Sequence, residues 1–266
     1  MTSARTDPSR IDDEIERLAT TPRLLVALDF DGTLAPLQDE PMDARMTDDA
    51  RAAVLALTGA PGTTVAFVSG RSLHDLRVIG EHDDDSPILL AGSHGAEFWS
   101  PGSGAASTPD DADDGELRDR LRARAEAITA DLDGVWIEPK SFGFGVHTRL
   151  ATPDDAARAR DAIDSIVVRD APHWRRRTGH NIVEYAFRHE GKDTAVATLR
   201  ERIGATAVLF AGDDVTDEDA LRSLDGDDLG IHVGTGETAA TIAVPDIAAL
   251  ARLLQRLAER RVAGRE

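Results

Sequence analysis

Two aspartates two residues apart, Asp29 and Asp31, stand immediately after the apolar run Leu24 to Leu28. A pair so placed can converge on one cation, Asp29 through its side chain and Asp31 through its backbone carbonyl. Hard oxygen ligands of this kind select Mg²⁺. Gly32 permits the sharp turn that follows. Taken alone, Asp-x-Asp describes an acidic turn with a helix cap equally well.

Three further segments have the same character. Ser69-Gly70-Arg71 follows the apolar stretch Thr64 to Val68. A serine there can hydrogen-bond a phosphoryl oxygen, with neighbouring backbone N–H groups assisting. A plain strand-to-helix turn is the alternative. Gly212 to Asp219 reads Gly-Asp-Asp-Val-Thr-Asp-Glu-Asp after another apolar run. So many carboxylates at one strand end repel strongly without a cation. Asp213, nearest the strand, is the expected metal ligand, with Asp214 and Asp217 supporting the site from behind. Part of the acidity is helix-start chemistry, with Thr216 as cap and Asp219 completing a capping box. Lys192 is one of only two lysines in the chain. An ammonium there can neutralise an aspartyl nucleophile and a phosphoryl group as charge develops. A solvated loop lysine is the other reading.

The elements that must hold these residues alternate in type. Ile11, Ile15 and Leu18 mark one face of a short helix that Ser9 would cap. Leu24 to Leu28, Thr64 to Val68, Ile88 to Ala91, Ala207 to Ala211 and Gly230 to Val233 read as strands buried on both faces. Helices opening near Thr47 and Ser72 fall between them. This order predicts an α/β fold with a Rossmann-like parallel sheet wound with helices, whose ligands bind at the strand carboxyl ends. The middle of the chain differs. Pro101 to Gly115 reads as a loop. Leu117, Leu121, Ile128 and Leu132 mark an amphipathic helix, and Thr152-Pro153 opens another. Val135 to Ile137, Phe142 to His147 and Ile182 to Phe187 have strand character. A smaller α+β unit inserted at 100–188, between core segments 1–99 and 189–266, is expected.

Composition narrows the function. The 266 residues carry a formal net charge of −19, which disfavours nucleic acid and anionic membranes as partners. The basic run Arg175-Arg176-Arg177 is read as a solvated strand edge. The absence of cysteine excludes zinc–thiolate and cysteine-nucleophile chemistry. No apolar run approaches the ~18 residues of a membrane span, and Met1 to Arg10 lacks an apolar signal core. A soluble, cytoplasmic protein is expected. Acid excess with few lysines points to a high-salt cytoplasm, where salt screens self-repulsion. Arginine-favouring codon bias is the alternative.

In this order, Asp29-x-Asp31-Gly32-Thr33, Ser69, Lys192 and Gly212-Asp213-Asp214-x-x-Asp217 resemble the signatures of the haloacid dehalogenase superfamily. Asp29 to Pro36, Val68 to Arg71, Ala91 to Glu97 and Gly212 to Asp219 are together similar to the trehalose-6-phosphate phosphatases. The inserted cap agrees less well. Glu138-Pro139-Lys140 resembles that family's Glu-x-Lys, and His147-Thr148-Arg149 its His-Tyr-Arg. Glu184 is followed by Ala186-Phe187 in place of Arg-Pro, and Lys192 by Asp193 in place of glycine.

The resemblance implies a chemistry. Asp29 attacks phosphorus and forms an aspartyl-phosphate. Asp31 protonates the leaving sugar oxygen and then activates water. Mg²⁺ is held by Asp29, the Asp31 carbonyl and Asp213, while Ser69 and Lys192 hold phosphoryl oxygens. Gly32, Thr33, Gly70 and Arg71 are candidate substrate contacts, and Glu138, Lys140 and Glu184 candidate sugar contacts. The cap closes over the site, with His94 and Glu97 shaping the hinge. The substrate is a small sugar phosphate, with a functional link to a trehalose-phosphate synthase. The rivals are a phosphatase of sucrose phosphate or mannosyl-3-phosphoglycerate, a catalytically silent sugar-phosphate-binding regulator, and a receiver-like domain.

Overall fold

A computed structural model describes residues 8–107, 112–179 and 181–264. The chain divides into two compact units, Met1–Ser107 with Glu190–Glu266, and Thr108–His189.

The larger unit begins with α1 (Pro8–Ala19). Ser9 lies inside its first turn rather than capping it, because proline, with no N–H to satisfy, takes the opening position. Then follow β1 (Leu24–Leu28), α2 (Asp48–Gly59), β2 (Thr63–Val68), α3 (Leu73–Ile79), β3 (Leu89–Gly92), β4 (Glu97–Ser100) and β5 (Gly104–Ser107). Thr47 and Ser72 cap α2 and α3, accepting from the N–H groups of Ala50 and Asp75.

The smaller unit contains α4 (Ala112–Thr129), β6 (Trp136–Lys140), β7 (Gly143–His147), α5 (Pro153–Asp170), β8 (Arg175–Gly179) and β9 (Ile182–Ala186). The chain then returns to the larger unit with α6 (Lys192–Ile203), β10 (Ala207–Gly212), α7 (Glu218–Ser223), β11 (Leu229–Val233), β12 (Ile242–Val244) and α8 (Ile247–Ala263).

The large sheet runs β12-β11-β10-β1-β2-β3-β4-β5. Pairing is parallel from β12 to β3 and antiparallel for β3-β4-β5. Both faces are covered, as a parallel sheet requires. Leu24, Val26 and Leu28 join a core with α2 and α8 residues such as Leu57 and Leu254. Leu25 and Ala27 face a second core with Val196 and Leu199 of α6. Strand order reverses between β1 and β10. That is the switch point at which such sheets bind ligands.

Three further details depart from the sequence expectations. Gly104–Ser107 is a strand of the large sheet and Ala112 to Gly115 is helical, so Pro101 to Gly115 is not one loop. The expected boundary at 100 falls inside this hairpin; its run of small residues shows no apolar alternation to betray a strand. Leu132 lies past the end of α4, in the turn after Thr129.

The smaller unit's antiparallel sheet has the order β6-β7-β9-β8, with Arg175 to Arg177 on the edge strand. Phe144, Val146, Val183 and Tyr185 occupy its buried face. Alternation along the strands puts Trp136, Glu138, Lys140, His147 and Glu184 on the other face.

Phe210→Ala, in the middle of β10, is expected to cost about 3–5 kcal/mol through the cavity left behind. Leu55→Ala, on the exposed side of α2, should stay within about 0.5 kcal/mol of wild type. Urea unfolding followed by circular dichroism checks both.

Candidate active site

Asp29 leaves β1 at the sheet's carboxyl edge, its N–H bonded to the carbonyl of Ala211 on β10. That pairing sets the end of β1 beside the end of β10, and so sets Asp29 beside the acidic segment. Side-chain oxygens of Asp29, Asp213 and Asp217 lie within 4.8 Å of one another. Lys192, the first residue of α6, reaches into them. Its Nζ donates to Asp29 Oδ1 at 2.6 Å and to Asp217 Oδ1 at 2.7 Å. All three groups of this bridge are buried, with Lys192 only 3% exposed.

Backbone shape makes the approach possible. Gly32 has φ +81°, and a methyl on it would come within 2.0 Å of Asp213 Oδ2. Only glycine both adopts that angle and leaves that space. Gly212 is pressed as closely by the Asp217 side chain.

Asp217 is fully engaged. Its Oδ2 accepts from the N–H groups of Asp213 and Asp214, and its Oδ1 from Lys192. It therefore fixes the loop and the lysine. The Asp214 N–H donates to Asp217 Oδ2 while its carbonyl accepts from the Asp217 N–H, closing the short turn Val215–Asp217. The expected Thr216–Asp219 box does not form, because this turn precedes α7 and places Asp217 before the helix. Thr33 is fully buried, its hydroxyl 3.3 Å from both Asp29 Oδ2 and Asp213 Oδ1. It holds carboxylates in this arrangement. The Gly32 N–H is spent on the Ala35 carbonyl.

Three carboxylates face one ammonium here, so negative charge is in excess. Burial, followed by the carboxylates of Asp217 and Asp213, pushes the Asp29 carboxyl well above the usual range against the pull of Lys192. Burial first and Asp217 second push Asp213 up to about 7. Burial works against the charge on Lys192, but Asp217 and Asp29 outweigh it and hold its pKa above the ordinary value. A divalent cation relieves such an excess, and carboxylate oxygens are the donors Mg²⁺ takes. The donor set fits that ion: Asp29 and Asp213 would hold it.

The second strand end is pinned from behind. The Ser69 hydroxyl accepts from the Arg71 N–H at 3.1 Å. The Ser69 carbonyl accepts from His94 N–H at 2.9 Å, and the Arg71 carbonyl from Ser93 N–H at 2.6 Å. Ser93 and His94 are left-handed, at φ 49° and 57°. Their strain sits at the site, as such outliers often do. Glu97 Oε2 accepts from the Ser93 hydroxyl and from the Leu73 N–H. His94 and Glu97 thus lock the loop carrying Ser69, Gly70 and Arg71. Arg71 itself is turned onto Asp31. Its Nε and Nη2 donate to Oδ2 and Oδ1 at 2.9 and 2.7 Å.

Within the smaller unit, Glu138, Lys140 and Glu184 come together. Lys140 Nζ lies 2.6 Å from Glu184 Oε1 and 3.4 Å from Glu138 Oε2. Burial opposes the Lys140 charge, but Glu184 and Glu138 raise its pKa to about 12. Sequence reasoning missed the neighbours. His147 Nε2 is 2.7 Å from Glu138 Oε2, and its ring stacks on Trp136 with centroids 4.4 Å apart. The i, i+2, i+4 spacing of Trp136, Glu138 and Lys140 on one strand face was the available signal.

The raised Asp213 pKa has a consequence for metal-free protein. Between its ordinary value of 3.8 and about 7, the folded state holds a proton that the unfolded chain has lost. Stability must therefore fall as pH rises through that window. In EDTA, the thermal midpoint is expected to fall more steeply with pH in wild type than in Asp213→Asn. At pH 7, Mg²⁺ should raise the wild-type midpoint well beyond that of the variant. Parallel pH curves and equal Mg²⁺ responses would contradict this electrostatic account.

A family model described as trehalose-phosphatase matches residues 27–246. The chain is 34% identical over 250 residues to an uncharacterized glycosyl hydrolase of Mycobacterium tuberculosis, covering 87% of this chain and 18% of that protein. It is 32% identical over 260 residues to a trehalose-phosphate phosphatase of Mycobacterium marinum, covering 90% of this chain and 62% of that one. It therefore spans less than two thirds of either relative. The solved C-terminal domain of a C. albicans trehalose-6-phosphate phosphatase superposes with a TM-score of 0.82 at 20% identity, over 96% of this chain and 99% of that domain. With the family model matching most of its length, the chain belongs to the trehalose-phosphatase family.

Proposed function

We propose that this chain is a Mg²⁺-dependent phosphatase that hydrolyses trehalose 6-phosphate to trehalose and phosphate. The observation that carries the reading is the buried bridge from Lys192 to Asp29, 2.6 Å long, beside Asp213. A carboxylate held at both oxygens, next to an ammonium and at a strand end, is an oriented nucleophile. Binding alone requires no such arrangement, which argues against a silent regulator.

An Asp29 oxygen attacks phosphorus in line, and the bond from phosphorus to the sugar oxygen breaks. Asp31 gives its proton to that leaving oxygen. A water then attacks the aspartyl-phosphate, yielding its proton to Asp31, and the bond to Asp29 breaks. Lys192 and Ser69 hold the phosphoryl oxygens. Lys192 also keeps Asp29 fixed, with Thr33 at its other oxygen. When bound, the cation supplies charge neutralisation for the phosphoryl group.

We assign the sugar to the smaller unit's Glu138, Lys140 and Glu184, since carboxylates and an ammonium suit hydroxyl partners. A functional link to a trehalose-phosphate synthase and a cytoplasmic location belong to the same reading. No helix among the described residues is long and apolar enough to cross a membrane. The acidic, lysine-poor composition we read as adaptation to high salt.

Phosphate release should show a Mg²⁺-dependent preference for trehalose 6-phosphate over glucose 6-phosphate, sucrose 6-phosphate and mannosyl-3-phosphoglycerate. EDTA should abolish it, and molar salt should sustain it. Preference for another sugar phosphate would move the substrate and keep the chemistry, whereas no release from well-folded protein would sink the enzyme reading. Asp29→Asn should retain the fold and lose at least about 10³-fold in kcat. Glu184→Ala is expected to raise KM for trehalose 6-phosphate about ten- to a hundredfold, the worth of a charged hydrogen bond.

A further inference from the structure

Arg71 was expected to touch substrate, yet two donors of its guanidinium, Nε and Nη2, go to Asp31. Nε and Nη2 meet Oδ2 and Oδ1 at 2.9 and 2.7 Å, with the two side chains 16% and 24% exposed. A bidentate pair of this kind fixes both the position and the plane of a carboxylate.

Each end of the pair stands on a backbone that is itself pinned. The Arg71 N–H donates to Ser69 Oγ, and its carbonyl accepts from Ser93 N–H. The strained Ser93–His94 turn behind it is tied to Glu97. On the other side, Asp31 bridges to Ala35, and Gly32 N–H donates to the Ala35 carbonyl at 2.7 Å. Two rigid loops at neighbouring strand ends thus meet through one guanidinium–carboxylate contact.

We infer that Arg71 is a positioning residue for Asp31, holding the general acid/base in one rotamer at the mouth of the site and not serving as a phosphoryl ligand. The inference rests on the proposed role of Asp31 in proton transfer. A general acid works only within hydrogen-bond reach of its oxygen, and a misplacement of about 1 Å costs on the order of 10²-fold. Lysine keeps the charge but not the fork, so it can restore attraction without restoring the plane. The Ser93 to Glu97 segment thereby gains a purpose, as the support that keeps Arg71 in register.

The test compares Arg71→Gln, Arg71→Lys and Asp31→Asn on trehalose 6-phosphate, with inorganic phosphate as a competitive probe of the phosphoryl site and thermal midpoints to confirm folding. Arg71→Gln should lose about 10²-fold in kcat and Arg71→Lys about tenfold. KM and inhibition by inorganic phosphate should stay within about twofold, as expected when a contact to the phosphoryl group is not what was removed. Inhibition that weakens in step with kcat would overturn the inference and make Arg71 a phosphoryl ligand. Unchanged kcat would overturn it as well. Should Arg71→Gln fail to fold, the charge-preserving Arg71→Lys carries the same split. Asp31→Asn separates the two layers: a near-wild-type kcat there would remove Asp31 from proton transfer and take the inference with it. A severe loss there with unchanged Arg71 variants removes only the inference.

Discussion

The site depends on one electrostatic constraint: three carboxylates, two of them buried and Asp213 half-buried, crowd around one buried ammonium. Asp29 and Asp217 are each bonded to Lys192, and Asp213 lies within reach of both. Such a cluster is costly unless each charge is paired and hydrogen-bonded. Lys192 pairs two of the acids, and backbone N–H groups satisfy Asp217. The remaining excess on Asp29 and Asp213 is what a hard divalent cation neutralises. On the proposed reading, the same imbalance would orient Asp29 as nucleophile and prepare a seat for a phosphoryl group.

The fold supplies the geometry for this cluster through few contacts. Parallel pairing of β1 with β10 sets Leu28 against Ala211, so the residues that follow emerge side by side. Gly32 and Gly212 then remove the side chains that would hold Asp213 and Asp217 away. Lys192 arrives at the start of α6, whose Val196 and Leu199 pack into the core against Leu25 and Ala27. Asp29, Asp213 and Lys192 are consequently carried by the ends of the most buried strands and one helix packed on them. Rigid elements of this kind hold a site more precisely than loops do.

Much of this was legible in the sequence where burial writes a pattern. Leu24 to Leu28 and Ala207 to Ala211 announce central strands because both of their faces must be apolar. Asp29, Asp213 and Asp217 could be marked from their places after strand ends, and Lys192 as one of only two lysines. Legibility failed where pairing rather than burial makes the element. Gly104–Ser107 forms a strand by bonding to β4, with side chains too small to alternate. The Arg71–Asp31 bridge was hidden for a related reason: it joins residues forty positions apart, through a turn at Ser93 and His94 whose left-handed shape no propensity foretells. Thr33 was read as facing substrate, but its burial directs the hydroxyl to two carboxylates.

The central claim is that the Asp29 carboxylate, poised by Lys192, takes the phosphoryl group covalently. Acid quenching within milliseconds of mixing Mg²⁺-loaded protein with trehalose 6-³²P-phosphate, followed by peptide mapping, tests it directly. The account requires label on Asp29 that appears and decays at rates consistent with turnover. Phosphate released through repeated turnovers with no label on the protein at any quench time would contradict it.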